Sequence, residues 1–186
     1  YVVIGRGEAD GKDVDSKGGS SELWAVKLNE ERNQEWKKTL STDNYFDEAT
    51  TVQQTDNGDI LISGTRTSQD DYIDETASTT RNIEDRDSDI VVVRLDAASG
   101  NVNLHKTFGG GIDEGKSIYS TDDDGYILAG PSESTDGDQD MLLMKFDSNG
   151  DYQWEKYLGE DNGLDDVAND IVQTENGGYI VAGENQ

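Results

Sequence analysis

The chain has 186 residues, of which 41 are acidic and 15 are Lys or Arg, with one His, one Pro and no Cys. A net charge of -26 repels phosphate backbones and anionic headgroups, which argues against nucleic acid and membrane surfaces as partners. The lack of Cys excludes disulfides, thiolate nucleophiles and Cys-ligated metal centres. The apolar residues form short strand-like runs, which argues against disorder, and no run approaches the ~20 residues of a membrane span.

Apolar runs that end in Gly recur along the chain, and each of the first three is followed by three further segments. The recurring runs are Tyr1–Gly5, Ile60–Gly64, Tyr126–Gly130 and Tyr179–Gly183. A second apolar run follows a polar stretch, a third segment follows a turn rich in Asn, Asp and Gly, and a fourth segment begins at an acid. Matched residues of the third segment are Trp36, Leu104 and Trp154, and those of the fourth are Asp47, Asp113 and Asp166.

Each repeat therefore predicts four short strands joined by hairpin turns, with no sustained helical period. The predicted fold is all-β, a β-propeller made of four-stranded antiparallel blades that occupies residues 1–186 as a single region. The repeats span 1–59, 60–125 and 126–178, and a fourth repeat begins at 179–186. Because closed propellers have ~4 to 8 blades, we expect these three repeats to form an arc of a larger ring.

Two recurring residue types have structural roles in this prediction. The fourth segments carry Ala49, Gly115 or Ala168, which suit an inner strand crowded around a central axis, and the Trp residues suit the space between sheets. Each second apolar run ends at a cation, and a buried cation needs a partner. These cations are Lys27, Arg94 and Lys145, and the candidate partners are Asp47, Asp113 and Asp166, or Glu22, Asp89 and Asp140.

The stretch from Asp140 to Gly183 contains the three recurring patterns of the repeat. They read Asp-x-x-x-x-Lys-Phe-Asp-Ser-Asn-Gly-x-x-x-Trp-x-Lys, then Asp-x-Ala-x-x-Ile-x-Gln-Thr, then Gly-Gly-Tyr-Ile-Val-Ala-Gly. This unit resembles the secreted bacterial and archaeal β-propeller repeats known as SBBP repeats. The resemblance implies a large extracellular or cell-surface protein, and it leaves the function open because such propellers have many functions. The second repeat departs most, with Leu104 in place of Trp and a longer insertion at Thr65–Asp89.

The variable loops and the loops before the fourth segments are predicted to share one side of the protein, and they hold 25 of the 41 acids. Two of these loops place Asp residues around a Gly: Asp10, Asp13 and Asp15 in one, and Asp136, Asp138 and Asp140 in the other. Such spacing can direct several carboxylates toward one Ca²⁺ ion, which prefers oxygen ligands. These six residues are candidate calcium ligands, and the alternative is a solvated acidic loop.

The sequence offers no pattern typical of catalysis. His105 is the only imidazole, which excludes His-rich metal centres, and its repeat equivalents predict an outward-facing position, which argues against a Ser-His triad. With 41 acids, some pair of carboxylates always lies at a catalytic spacing, so the pairs carry no information. We therefore expect a protein that is not an enzyme.

The expected function is a non-catalytic extracellular or cell-surface scaffold for binding or adhesion. Its acidic loop side is expected to contact a protein, a glycan or ions, and Tyr45, Phe46 and Tyr72 are aromatic contact candidates. One alternative is a structural subunit of a surface layer or filament that self-associates through its terminal edge strands. Another is the non-catalytic part of a secreted polysaccharide-degrading enzyme.

Overall fold

The computed structural model describes residues 1–8, 21–40, 45–68, 88–109, 113–133, 138–159 and 164–185. These residues form thirteen strands, and no helix occurs among them. In particular, the described part of the chain has no helix with the length and apolar character that crossing a membrane requires.

The strands form four antiparallel sheets in chain order. The first sheet contains β1 (Val2–Glu8), β2 (Ser21–Leu28) and β3 (Gln34–Thr39). The second contains β4 (Tyr45–Gln54), β5 (Ile60–Ser68), β6 (Ser88–Leu95) and β7 (Val102–Phe108). The third contains β8 (Ser117–Ser120), β9 (Tyr126–Glu133), β10 (Gln139–Phe146) and β11 (Tyr152–Leu158). The fourth contains β12 (Asp166–Gln173) and β13 (Tyr179–Asn185). The prediction of an all-β chain with four-stranded antiparallel sheets is confirmed.

Consecutive sheets pack against each other through three apolar clusters. Strands covered on both faces are apolar at successive positions, as Ile90–Val93 shows in β6, where all four residues are buried. Ile60 and Ile62 pack toward the first sheet, whereas Leu61 between them packs toward the third. The third and fourth sheets meet around Ile127, Leu143 and Ile171. The first strands of successive sheets also contact each other, β4 with β8 and β8 with β12.

A recurring Gly allows the first two strands of a sheet to approach closely. A Cβ on Gly130 of β9 would overlap the carbonyl oxygen of Glu114, and Gly64 stands in the same relation to Glu48. Gly183 repeats the contact with Val167. The register shifts by one residue nearby in the β4–β5 and β12–β13 pairs, as expected for a bulge that pushes a carbonyl toward its neighbour. The Gly that ends the last three apolar runs is thus required by strand pairing, whereas Gly5 lies against the ring of Trp24.

The small residues of the fourth segments lie against the preceding sheet. A Cβ on Gly115 would come within 2.8 Å of the carbonyl oxygen of Gly64 and 3.1 Å of Ile90. Ala168 is fully buried with Ile127 of the third sheet. Contact with the neighbouring sheet therefore requires their small size, and the crowding around a central axis that the sequence suggested stays a prediction.

Candidate functional site

The predicted calcium ligands fall largely outside the part of the chain that the structure describes. Asp10, Asp13, Asp15 and Asp136 lie outside it, and only Asp138 and Asp140 are described, both half-buried. No group of three or more His, Asp or Glu side chains suited to a metal occurs among the described residues. Calcium binding therefore remains a prediction from sequence spacing.

Two equivalent carboxylate pairs lie where neighbouring sheets meet. Asp89 Oδ1 and Asp113 Oδ2 lie 2.5 and 2.9 Å from the position that a Cβ on Gly109 would occupy. Asp140 and Asp166 flank Gly159 in the same way. Asp113 and Asp166 are both buried, so each interface holds one buried and one half-buried carboxylate.

Lys27 and Arg94 contact the turn of the following sheet, and Arg94 and Lys145 form ion pairs with Asp59 and Asp123 in place of the predicted acids. The side chains of Glu22 and Asp47, the acids predicted for Lys27, lie outside the part of the structure that is described. Lys27 Nζ donates to the carbonyl oxygen of Ala97 at 2.8 Å and lies 2.9 Å from Glu35 Oε2. The guanidinium of Arg94 donates to the carbonyl oxygen of Ser148. These carbonyls reach the cations because the β6–β7 turn lies beside the first sheet and the β10–β11 turn lies beside the second.

Lys145 has different partners. Its ammonium lies 3.0 Å from both carboxylate oxygens of Asp123 and donates to the carbonyl oxygen of Phe146 at 2.8 Å. The described part of the fourth sheet consists of β12 and β13, so no hairpin turn equivalent to those at Ala97 and Ser148 is described beside Lys145. The cation is therefore neutralised within its own sheet.

The aromatic residues singled out in the sequence have several environments. Trp36 is buried between the first two sheets and donates to the carbonyl oxygen of Ala97 at 3.1 Å, and Trp154 packs near Tyr179 with ring centroids 5.8 Å apart. Trp24 is half-buried, with Lys37 Nζ 6.0 Å from the ring centroid. Tyr45 and Phe46 belong to β4, and Tyr72 lies outside the described residues.

A groove of about 530 Å³ opens between the second and third sheets. Leu142 and Met144 of β10 are buried at its floor, and Phe108 of β7 is half-buried there. Tyr152 and Tyr157 of β11 line it with 53% and 47% of their surface exposed. The carboxylates that line it belong to Asp113, Glu133 and Glu155.

Strand alternation explains why these side chains share one surface. Leu142 pairs with Tyr157 and Met144 pairs with Glu155, so all four point toward the second sheet. The ring of Tyr152 meets Phe146 edge-on at 6.4 Å between centroids, which anchors this side of the groove to the core. The result is an apolar floor with aromatic and acidic walls.

The electrostatics of the groove are negative. Burial, followed by the nearby carboxylate of Glu155, raises the pKa of Tyr157, whose hydroxyl also forms a hydrogen bond with Ser132. Neither Glu133 nor Glu155 takes part in an ion pair among the described residues. The Tyr residues of this groove were missed in the sequence because their odd spacing places them on opposite faces of a regular strand. The register shift in the β10–β11 pair brings both to the groove.

His105 lies on the other face of the second sheet. It is half-buried, and its Nε2 lies 3.3 Å from a guanidinium nitrogen of Arg66. The same guanidinium group donates to the hydroxyl of Thr107 at 3.2 Å. The imidazole therefore takes part in a polar cluster of the strand surface, and the fully outward position expected from the sequence is only partly realised.

Comparison with known proteins does not assign the chain to a family. The chain matches no protein-family model, and the search of curated proteins finds no significant match.

Proposed function

We propose that this chain is an arc of a β-propeller. Face-to-face packing of four-stranded sheets in chain order, with their first strands in contact, supports this arrangement. The resemblance of the stretch from Asp140 to Gly183 to secreted propeller repeats supports an extracellular or cell-surface location.

Within this arc, the function supported best is a non-catalytic scaffold for binding or adhesion. The groove between the second and third sheets carries the proposal, because it combines an apolar floor with exposed Tyr rings and carboxylates. Exposed aromatic rings beside polar groups are typical of surfaces that hold proteins or glycans. We expect a partner to reach the groove from the side on which the sequence predicts the acidic loops.

A binding panel tests this function. Wild-type protein and the variant Glu133→Gln/Glu155→Gln are applied to immobilised glycans and extracellular matrix proteins, and Glu30→Gln/Glu175→Gln serves as a control with the same charge change at distant turns. We expect the groove variant alone to lose binding. Equal binding by all three proteins contradicts the proposal. Release of sugar products when the protein is incubated with polysaccharides would also contradict it, because it would show an enzyme.

Calcium is a further part of the proposal. It rests on the spacing of Asp10, Asp13 and Asp15, and of Asp136, Asp138 and Asp140. Bound Ca²⁺ stabilises the folded state by mass action, so we expect the melting temperature to rise on Ca²⁺ addition and to fall with a chelator. A melting temperature that is insensitive to both contradicts the calcium assignment.

A structural subunit of a surface layer or filament is the second candidate. The outward face of the fourth sheet exposes Val172 and Ile180, whereas Ile127, the repeat equivalent of Ile180, is fully buried between sheets. Arg32 argues against a filament in which the first sheet of one chain packs on the last sheet of another in the way that successive sheets pack within one chain. With φ 68° it occupies the turn position of Gly100, where a Cβ would come within 2.8 Å of Trp36. Sedimentation over a range of concentrations tests this candidate, and a monomer throughout contradicts it.

A further inference from the structure

We propose that the groove between the second and third sheets binds an extended peptide segment that carries Lys or Arg side chains. The inference rests on the proposed binding function and names its partner class. None of the described residues that line the groove is Lys or Arg, while Asp113, Glu133 and Glu155 line it. Charge complementarity therefore selects a cationic occupant.

The groove differs in charge from the equivalent surface one sheet earlier. Arg66 and His105 of the second sheet occupy the positions that Ser132 and Glu155 hold in the third, and they lie 3.3 Å apart. The negative character is thus specific to one inter-sheet surface. General acidity of the whole protein does not account for it, because the repeat places a basic pair at the matched positions.

The aromatic rings of the groove favour a cationic side chain, in addition to the carboxylates of the groove. Tyr152 and Tyr157 are about half exposed on one wall, where an ammonium or guanidinium group can lie over a ring face. The apolar floor of Phe108, Leu142 and Met144 suits the methylene stems of Lys and Arg. A neutral glycan would use the rings and leave Glu133 and Glu155 without a charge partner.

The test measures fluorescence anisotropy of a labelled peptide of alternating Lys and Ala at about 0.15 M salt, where long-range attraction is screened. We expect Glu155→Gln and Tyr152→Ala each to weaken binding roughly 2- to 5-fold, the range for an exposed cation–π contact or ion pair. Glu175→Gln and Tyr1→Ala are the matched controls, because they remove the same groups from distant exposed positions. These two are expected to leave binding unchanged.

Equal loss in the groove and control variants would overturn the inference, since binding would then follow net charge alone. Preferential binding of a neutral hexasaccharide over the peptide, with loss in the groove variants, would also overturn it but leave the scaffold function intact. If neither ligand nor any member of the panel responds to the groove variants, both the inference and the proposed function fail.

Discussion

Lys145 and Asp123 form an ion pair that joins β10 to the turn before β9. The Lys145 side chain is 4% exposed and that of Asp123 is 55% exposed, with nitrogen to oxygen distances of 3.0 Å. A hydrogen bond from the Thr121 hydroxyl and then the Lys145 ammonium lower the pKa of Asp123. The pair holds a buried cation whose equivalents in the earlier repeats bond to the next sheet.

Replacing Asp123 by Asn should destabilise the protein at neutral pH by about 1 kcal/mol, since one partner is largely in solvent. The pKa of Asp123 is lower in the folded than in the unfolded state, so its contribution is present above about pH 4 and is lost as the pH falls through the folded value. Urea unfolding at neutral pH and at about pH 3 should show this difference shrink in acid. A difference that persists undiminished in acid, or that Asp122→Asn reproduces, contradicts the assignment.

Gly130→Ala should destabilise the third sheet strongly, by about 3 kcal/mol, because the new methyl group would overlap the carbonyl oxygen of Glu114. Chemical denaturation measures the effect. Gly177→Ala is the control, since a Cβ there meets nothing within 4 Å and only its positive φ of 80° opposes the change. Equal losses in the two variants would contradict the assignment of the cost to strand approach, since Gly130 itself has no positive φ.

Asp124 is expected to be a site where Gly stabilises the fold. It has φ 62°, whereas the equivalent turns carry Gly58 at 93° and Gly177 at 80°. Asp124→Gly should raise the free energy of unfolding by about 0.5–1 kcal/mol by relieving left-handed strain. The reciprocal change Gly177→Asp should lower it, and thermal melting of both variants compares them. A loss of stability in Asp124→Gly would mean that the Asp124 side chain has a partner that outweighs the strain.

Tyr126 and Arg94 are expected to share an ordered water. The Tyr126 hydroxyl and Arg94 Nε have no hydrogen-bond partner among the described residues, and both residues line a cavity of about 20 Å³, which is large enough for one water. Burial raises the pKa of Tyr126, so the hydroxyl stays neutral and can donate. Tyr126→Phe should then cost about 1 kcal/mol in unfolding free energy. A more stable Phe variant would show that the hydroxyl is unpaired.

Much of the local structure could be predicted from the residues themselves. The unbroken apolar run and the β-branching of Ile90–Val93 indicate a buried strand, and the Asp147–Asp151 stretch indicates a hairpin turn, which the hydrogen bonds of that turn confirm. The recurrence of Gly at the position of Gly130 was visible in the sequence, but the reason why this position requires Gly was not. The overlap with Glu114 depends on how two strands approach, and no spacing in the sequence reports that distance.

The sequence by itself determined the strands, their turns and the all-β class, because side-chain periodicity and turn chemistry act over a few neighbouring residues. Only the tertiary structure decided the partners of Lys27 and Arg94 and the groove lined by Tyr152, Tyr157 and Glu155. Those contacts join residues of different sheets, and their geometry follows from how the apolar faces pack. A cation near several acids along the chain bonds to the group that packing brings closest, which here is a carbonyl of the following sheet.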